Sequence, residues 1–149
     1  MQLNNILYPA TTVSGAQVDS KKGVLELISK LIAQHLGNIS YEEILDCLAT
    51  REKLGSTSIG HGVALPHGRS KLITAPIGAL IRTNKKIDFD AIDNQSIDLF
   101  FGLLVPEEEE KHHLEIIAAL ANKFSHEDFR AKLRRAKNNK ELYQLATSD

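Results

Sequence analysis

An apolar run in the second half of the chain constrains the fold more than any other feature. Residues 97–105 are almost wholly apolar, and Pro106 closes the run. It is far shorter than the ~20 residues needed to span a bilayer. It also lacks the polar–apolar alternation of a strand with one solvated face. We therefore predict a strand that is buried on both faces and has helices on either side of it.

Helical patterns lie before, between and after the strand-like segments. Apolar residues at helix spacing follow Ser20 and end at Gly37. Ser40 and Glu43 form a capping-box signature, which predicts a second helix ending near Gly55. Further helix starts are predicted within residues 107–111, 125–128 and 138–141, and strands within 59–65, 76–83 and 97–105. With about four strands, the pattern predicts one α/β domain over residues 1–149, a mixed sheet covered by helices on both faces.

The composition excludes several classes of protein. Of the 149 residues, 42% are hydrophobic and 25% charged, as in an ordinary folded domain. The net charge of −1 argues against a nucleic-acid-binding protein. We recognise neither a leader peptide nor a membrane-spanning run, so we expect a cytoplasmic protein with no membrane insertion. One basic cluster is assigned to the solvated face of a helix: Arg130, Lys132, Arg134, Arg135 and Lys137.

His67 is the residue most suited to chemistry. It follows a short apolar run and lies between Pro66 and Gly68. Proline biases Leu65 toward an extended conformation, and glycine permits a sharp exit. We expect His67 at a strand end with its ring facing solvent or a partner. Histidine titrates near neutral pH, so it can serve there as a nucleophile or proton carrier.

Nucleotide and cysteine chemistry have little support. Residues 62–70 resemble a phosphate-binding P-loop, but the glycines are one residue too far apart, and Pro66 removes a backbone amide. No other nucleotide motif is present, so we expect no cofactor. Cys47 is the only cysteine and falls inside an amphipathic helix pattern, where it is interpreted as a packing residue.

A metal site is the first serious alternative. Its ligands would come from His61, His67, His112 and His113, with acidic residues 107–110 nearby. None of these pairs has a recognised ligand spacing. His112 and His113 point about 100° apart on a helix, so only one of them can face His67. We predict no native metal.

A phosphoryl carrier is the other reading of His67. Such a site needs an exposed imidazole, a cation for the phosphoryl oxygens and a group that orients the ring. Arg51 is the candidate cation because guanidinium matches phosphate geometry. His113 is the candidate orienting group. A binding module that regulates partners without phosphorylation stays open at this point.

Several separated motifs resemble the IIA domains of the phosphotransferase system, of the fructose–mannitol type. The active-site region is carried by residues 50–57 (TREKLGST) and 59–68 (IGHGVALPHG). The other matching motifs are IDFDAIDNQSIDL at 87–99, LLVP at 103–106, KHHL at 111–114 and ELYQL at 141–145. Within the family the chain is most similar to the nitrogen-regulatory branch, and the resemblance covers nearly the whole chain.

The resemblance implies a mixed five-stranded sheet between layers of helices. It implies that His67 is phosphorylated on Nε2, that Arg51 faces the phosphate, and that His113 is the second active-site histidine. The implied donor is a histidine-phosphorylated carrier protein, and the implied partners are regulated targets such as potassium transport systems or sensor kinases. His61 stands where the family often has asparagine, and is either a spectator or an influence on the pKa of His67.

A free-standing chain favours a phosphohistidine carrier that regulates partners. The alternative is a separate sugar-specific IIA subunit that passes its phosphoryl group to a IIB subunit.

Overall fold

The predicted alternation of helices and strands is present throughout the chain. The computed structural model describes residues 2–108 and 110–148. The helices are α1 (Lys21–Leu36), α2 (Tyr41–Glu52), α3 (Glu110–Phe124), α4 (Glu127–Arg134) and α5 (Asn139–Thr147). The strands are β1 (Leu7–Ala16), β2 (Ser58–Gly60), β3 (Val63–Ala64), β4 (His67–Ser70), β5 (Ile77–Ile87) and β6 (Ile97–Pro106).

Strand β6 lies at the centre of the sheet. It pairs with β5 antiparallel on one side, and with β3 and β4 in parallel on the other. Strand β1 adds in parallel beyond β5, and β2 adds antiparallel beyond β3. Over the described part of the chain the mixed sheet has six strands, rather than the four or five expected. The register places His67 beside Leu103 of β6.

The side chains of β6 point alternately into two separate cores. Leu99, Phe101 and Leu103 pack with the helices α3, α4 and α5. Phe100 and Leu104 pack with α1 and α2 on the opposite face. All five side chains are fully buried. The prediction of a strand buried on both faces, with helices on either side, is confirmed.

Local signals in the sequence set the helix starts. The Ser20 side chain accepts from the Gly23 amide at 3.0 Å and caps α1. Ser40 and Glu43 form the predicted capping box of α2. Asn138 caps α5, because its side chain accepts from the Glu141 amide at 2.8 Å.

The longest helix, α1, has 16 residues. Among residues 2–108 and 110–148, no helix has the length and apolar character needed to cross a membrane.

Strand β1 is the longer of two strands, the other being β4, that the sequence patterns do not predict. Pro9 and Gly15 interrupt its apolar residues, and its register against β5 shifts twice. Gly15 has a φ of +80°. These irregularities are tolerated because β1 is an edge strand, where a missing amide donor leaves no partner unsatisfied. The additional edge strand accounts for part of the difference in strand count.

The basic cluster in α4 and the residues just after it is not simply solvated, which corrects the expectation. Arg130 is buried, and its Nη1 donates to the Phe124 carbonyl at 3.0 Å. The Arg134 guanidinium pairs with Asp98 at 2.9 Å and also donates to the His61 carbonyl. Two of the five cations therefore hold α4 against neighbouring segments, whereas Arg135 and Lys137 are exposed.

Gly68 brings α2 close to β4. We expected it to permit a sharp turn after His67, but Gly68 lies inside β4 and has no positive φ. A Cβ at this position would lie 3.0 Å from both the carbonyl carbon and oxygen of Cys47. Glycine is therefore needed for close approach, and this contact sets the distance between His67 and the helix that carries Arg51.

Gly68→Ala is expected to lower the free energy of unfolding by about 1–3 kcal/mol, the usual cost of overpacking. The helix backbone at Cys47 must move, since a backbone carbonyl cannot rotate away as a flexible side chain can. Urea denaturation of the purified variant measures the loss. Cys47→Ala is the matched control for a change in side-chain volume at this contact. Wild-type stability in Gly68→Ala would contradict the close-approach explanation.

Candidate functional site

His67 is held in one tautomer by the backbone. It is the first residue of β4 and is half-buried. Its Nδ1 lies 2.8 Å from the Leu65 carbonyl oxygen. Because a carbonyl can only accept, Nδ1 carries the ring proton and Nε2 holds the lone pair. Pro66 ties the segment to the sheet, since its carbonyl accepts from the Leu103 amide at 2.8 Å.

The pKa of His67 lies below its ordinary value of 6.5, chiefly because the ring is desolvated. The Arg51 guanidinium lowers this pKa further, whereas the Leu65 carbonyl and the Glu52 carboxylate oppose the shift. The ring is therefore neutral at physiological pH. A neutral imidazole with a free Nε2 is a competent nucleophile.

His113 contacts the His67 ring from α3. Its side chain is buried, with the residue 9% exposed, and the two ring centroids are 5.4 Å apart with an interplanar angle of 72°. Its buried Nε2 has no hydrogen-bond partner within the described part of the chain. Desolvation, followed by the neighbouring His67 and Arg69, lowers the pKa of His113 below 6.5. A buried polar atom without a partner is costly unless it serves a ligand.

Arg51 supplies a cation from the last turn of α2. Its Nη1 donates to the Gly55 carbonyl at 3.0 Å, which holds the guanidinium against the following loop. A guanidinium has five N–H donors, so this bond leaves most of them available. Across residues 2–108 and 110–148, no carboxylate lies within ion-pair distance of Arg51.

The three predicted residues line one open cavity of about 500 Å³. Leu54 and Leu114 also line it, and they are 82% and 63% exposed. Arg69 adds a second cation that is not among the predicted site residues. The signal for it was available, because residues two apart on a strand share a face and Arg69 follows His67 at that spacing.

Other candidate residues lie outside this arrangement or take a passive role in it. His61 is exposed in the turn between β2 and β3 and does not line the cavity, which favours the spectator interpretation. His112 is exposed beside Glu115. Cys47 lines the cavity, but desolvation and nearby carboxylates raise the pKa of its thiol, which makes it a poor nucleophile.

The arrangement of histidines does not favour the metal alternative. The structure brings His67 and His113 together but not His61 or His112. In the described ranges, 2–108 and 110–148, no three metal-binding side chains are grouped closely enough to hold an ion. Glu109, one residue of the acidic run considered as a ligand source, lies outside those ranges.

Comparisons with known proteins agree with the geometry. Residues 6–148 match the family model described as phosphoenolpyruvate-dependent sugar phosphotransferase system, EIIA 2. A nitrogen regulatory protein of Klebsiella oxytoca is 40% identical over 148 residues, covering 99% of this chain and 91% of that protein. A fructose-specific EIIA component of Haloferax volcanii is 34% identical over 127 residues, covering 85% and 82%.

A solved structure extends the likeness to three dimensions. The crystal structure of the nitrogen regulatory protein IIA-Ntr from Neisseria meningitidis has a TM-score of 0.90 and 38% identity, covering 97% of this chain and 99% of that one. The fold class and the resemblance predicted from the sequence are thus confirmed. The family match spans both cores apart from Leu3, and every residue lining the cavity around His67, and on that ground the chain belongs to the EIIA 2 family of the phosphoenolpyruvate-dependent sugar phosphotransferase system.

Proposed function

We propose that this protein is a phosphohistidine carrier and regulator of the nitrogen-type phosphotransferase system, with residues 1–149 acting as one EIIA domain. His67 is the phosphoryl acceptor. The observation that carries this role is the bond from Nδ1 to the Leu65 carbonyl, which leaves Nε2 unprotonated beside the cavity. Arg51 holds the transferred group, and His113 orients it through its unpartnered Nε2.

The transfer step needs no cofactor. The His67 Nε2 lone pair attacks the phosphorus of a donor phosphohistidine in line with the bond that breaks. The Nε2–P bond forms as the donor N–P bond breaks, and the donor ring leaves as neutral imidazole with the bonding electron pair. His67 keeps its Nδ1 proton, so the phosphorylated ring is cationic. Its bond to the Leu65 carbonyl stabilises that charge.

Phosphorylation changes the charge of the surface that partners meet. A phosphoryl group adds roughly two negative charges next to Arg51 and Arg69. The exposed Leu54 and Leu114 form an apolar rim around this point, suited to docking of a carrier-protein donor and of regulated targets. The targets implied by the resemblance are potassium transport systems and sensor kinases, met in the cytoplasm.

The nitrogen-type role is favoured over a sugar-specific IIA subunit. The nitrogen regulatory protein of Klebsiella oxytoca matches at higher identity and over more of the chain than the fructose-specific component of Haloferax volcanii. Transfer to a sugar-specific IIB subunit separates the two roles, because a sugar-type protein passes its phosphoryl group on rapidly whereas a regulator retains it.

Phosphoryl transfer tests the proposal directly. The protein is mixed with phosphoenolpyruvate, an enzyme I-type protein and either a nitrogen-type or a sugar-type carrier. We expect an acid-labile mass gain of one phosphoryl group, faster with the nitrogen-type carrier. If neither carrier phosphorylates the protein, the carrier role is wrong and regulation by the unphosphorylated protein becomes the better explanation.

The pH dependence of transfer follows from the lowered pKa of His67. An ordinary histidine is half protonated at pH 6.5, but His67 has a lower pKa, so it is more than half neutral there and loses its nucleophilic form at lower pH. We expect the transfer rate to be retained to lower pH than it would be with an ordinary histidine, and an NMR titration midpoint for His67 below 6.5. Below pH 6.5 the unfolded chain binds more protons than the folded protein does at His67. The free energy of unfolding therefore falls as the pH falls. A midpoint above 6.5 would contradict the desolvated site.

A further inference from the structure

A buried carboxylate lies immediately beside the candidate site. Glu52 is the last residue of α2, follows Arg51 and is 7% exposed. Its Oε1 accepts from the Thr57 hydroxyl at 2.6 Å. Its Oε2 accepts from the Thr57 amide at 3.3 Å and pairs with Lys21 Nζ at 3.1 Å. A carboxylate that is buried away from water needs such partners, and the removal of one of them strongly destabilises the folded protein.

Thr57 connects this carboxylate to the His67 ring. Thr57 is 6% exposed, and its carbonyl accepts from the Leu65 amide at 3.0 Å. The Leu65 carbonyl in turn accepts the Nδ1 proton of His67 at 2.8 Å. Hydrogen bonds therefore run in succession from the Glu52 carboxylate to the imidazole, and a displacement of Thr57 would be passed on to the tautomer-setting carbonyl.

The same carboxylate anchors the loop that Arg51 contacts. Residues 53–56 connect α2 to Thr57. Arg51 Nη1 donates to the Gly55 carbonyl at 3.0 Å, and the Gly55 amide donates to the Glu52 carbonyl at 3.2 Å. Glu52 holds the far end of this loop through both bonds to Thr57. The loop against which the guanidinium rests is thus fixed by the buried carboxylate.

We propose that Glu52 and Thr57 are positioning residues for phosphoryl transfer. Their hydrogen bonds hold the Arg51 guanidinium and the His67 ring in a fixed relation to one phosphoryl position. Neither residue lines the cavity, so both act through the residues that do. The inference rests on the proposed function for its rate readout, but its structural readout is independent of that function.

Thr57→Val keeps the shape of the side chain and removes the hydroxyl. We expect its rate constant at saturating donor to fall about tenfold, because small displacements of reacting groups have large effects on rate. The donor concentration at half-maximal rate should change little, since the docking surface is untouched. ¹⁵N NMR of the His67 ring should show a mixture of tautomers. Thr57→Ser retains the hydroxyl and should restore the wild-type rate and tautomer.

Thr83→Val is the matched control. Thr83 is also buried, and its hydroxyl donates to the Lys85 carbonyl at 2.6 Å, but it does not line the cavity. This control should lose stability without a change in rate. If Thr57→Val does not fold, Glu52→Gln replaces it, since the amide keeps the shape and loses the charge. A folded Thr57→Val or Glu52→Gln with wild-type rate and tautomer overturns the proposal, as does an equal rate loss in Thr83→Val.

Failure of the proposed function is distinguishable from failure of this inference. If wild-type protein accepts no phosphoryl group, the carrier role fails. The measurement of the His67 tautomer is then sufficient by itself to test whether Glu52 and Thr57 position the ring. A single unchanged His67 tautomer in folded Thr57→Val overturns the inference, whereas a mixture supports it.

Discussion

His67→Ala is expected to abolish phosphorylation of the protein while leaving it folded. Among the described residues that line the cavity, His67 is the one whose ring proton is held on Nδ1 by a backbone carbonyl, which leaves its Nε2 unprotonated. The substitution leaves the Leu65 carbonyl without its donor, at a cost of about 1 kcal/mol. Intact-mass analysis after incubation with phosphoenolpyruvate and the donor proteins measures the loss, and circular dichroism measures the fold.

His61→Ala is the matched control for this experiment. His61 lies in the same glycine-containing segment but is exposed and outside the cavity. We expect it to be phosphorylated at the wild-type rate. A His67→Ala protein that still gains an acid-labile phosphoryl group would place the acceptor elsewhere, and His113 would then be the first residue to replace.

Arg51→Met is expected to reduce the rate of phosphoryl transfer about a hundredfold at saturating donor. Charge on the transferring group is stabilised by hydrogen-bond donors that are already in position. In enzymes the loss of one such donor typically lowers the rate by about 10²–10³-fold. Methionine preserves much of the apolar stem but removes the guanidinium. Quench-flow measurement of phosphoryl uptake gives the rate constant directly.

Two further variants separate the effect of the Arg51 guanidinium from that of positive charge alone. Lys53→Gln removes a neighbouring exposed cation and should leave the rate nearly unchanged. Arg51→Lys keeps the charge but loses the planar fork, so we expect an intermediate rate. Since Arg51 also donates to the Gly55 carbonyl, the melting temperature of each variant is measured in parallel. An Arg51→Met rate close to that of wild type would show that the guanidinium does not hold the phosphoryl group.

Much of the fold was predictable because its signals are local. The Ser40–Glu43 capping box and the Asn138 cap each involve residues three apart, and both helices start where those signals occur. The two-sided burial of β6 followed from its lack of alternation. Strand β1 was not predicted, because Pro9 and Gly15 obscure its pattern and its place is set by pairing with β5.

The residues of the candidate site were likewise predictable only in part. The Pro66-His67-Gly68 motif and the family resemblance pointed to His67, Arg51 and His113. Arg69 was missed although its spacing from His67 signals a shared strand face, whereas the Glu52–Thr57 network was missed because it depends on contacts rather than on a motif. The reason for Gly68 was also misjudged, because the α2 backbone that it accommodates comes from a distant segment.

Residue order alone was sufficient for the helix starts, for the doubly buried central strand and for the choice of His67 as the candidate phosphoryl acceptor, because each depends on neighbours along the chain. Packing was required for the protonation state of His67 and for the unpartnered Nε2 of His113. Both depend on how far water is excluded and on which carbonyls and cations come within a few ångströms. Those distances arise only when helices from different parts of the chain close on the sheet.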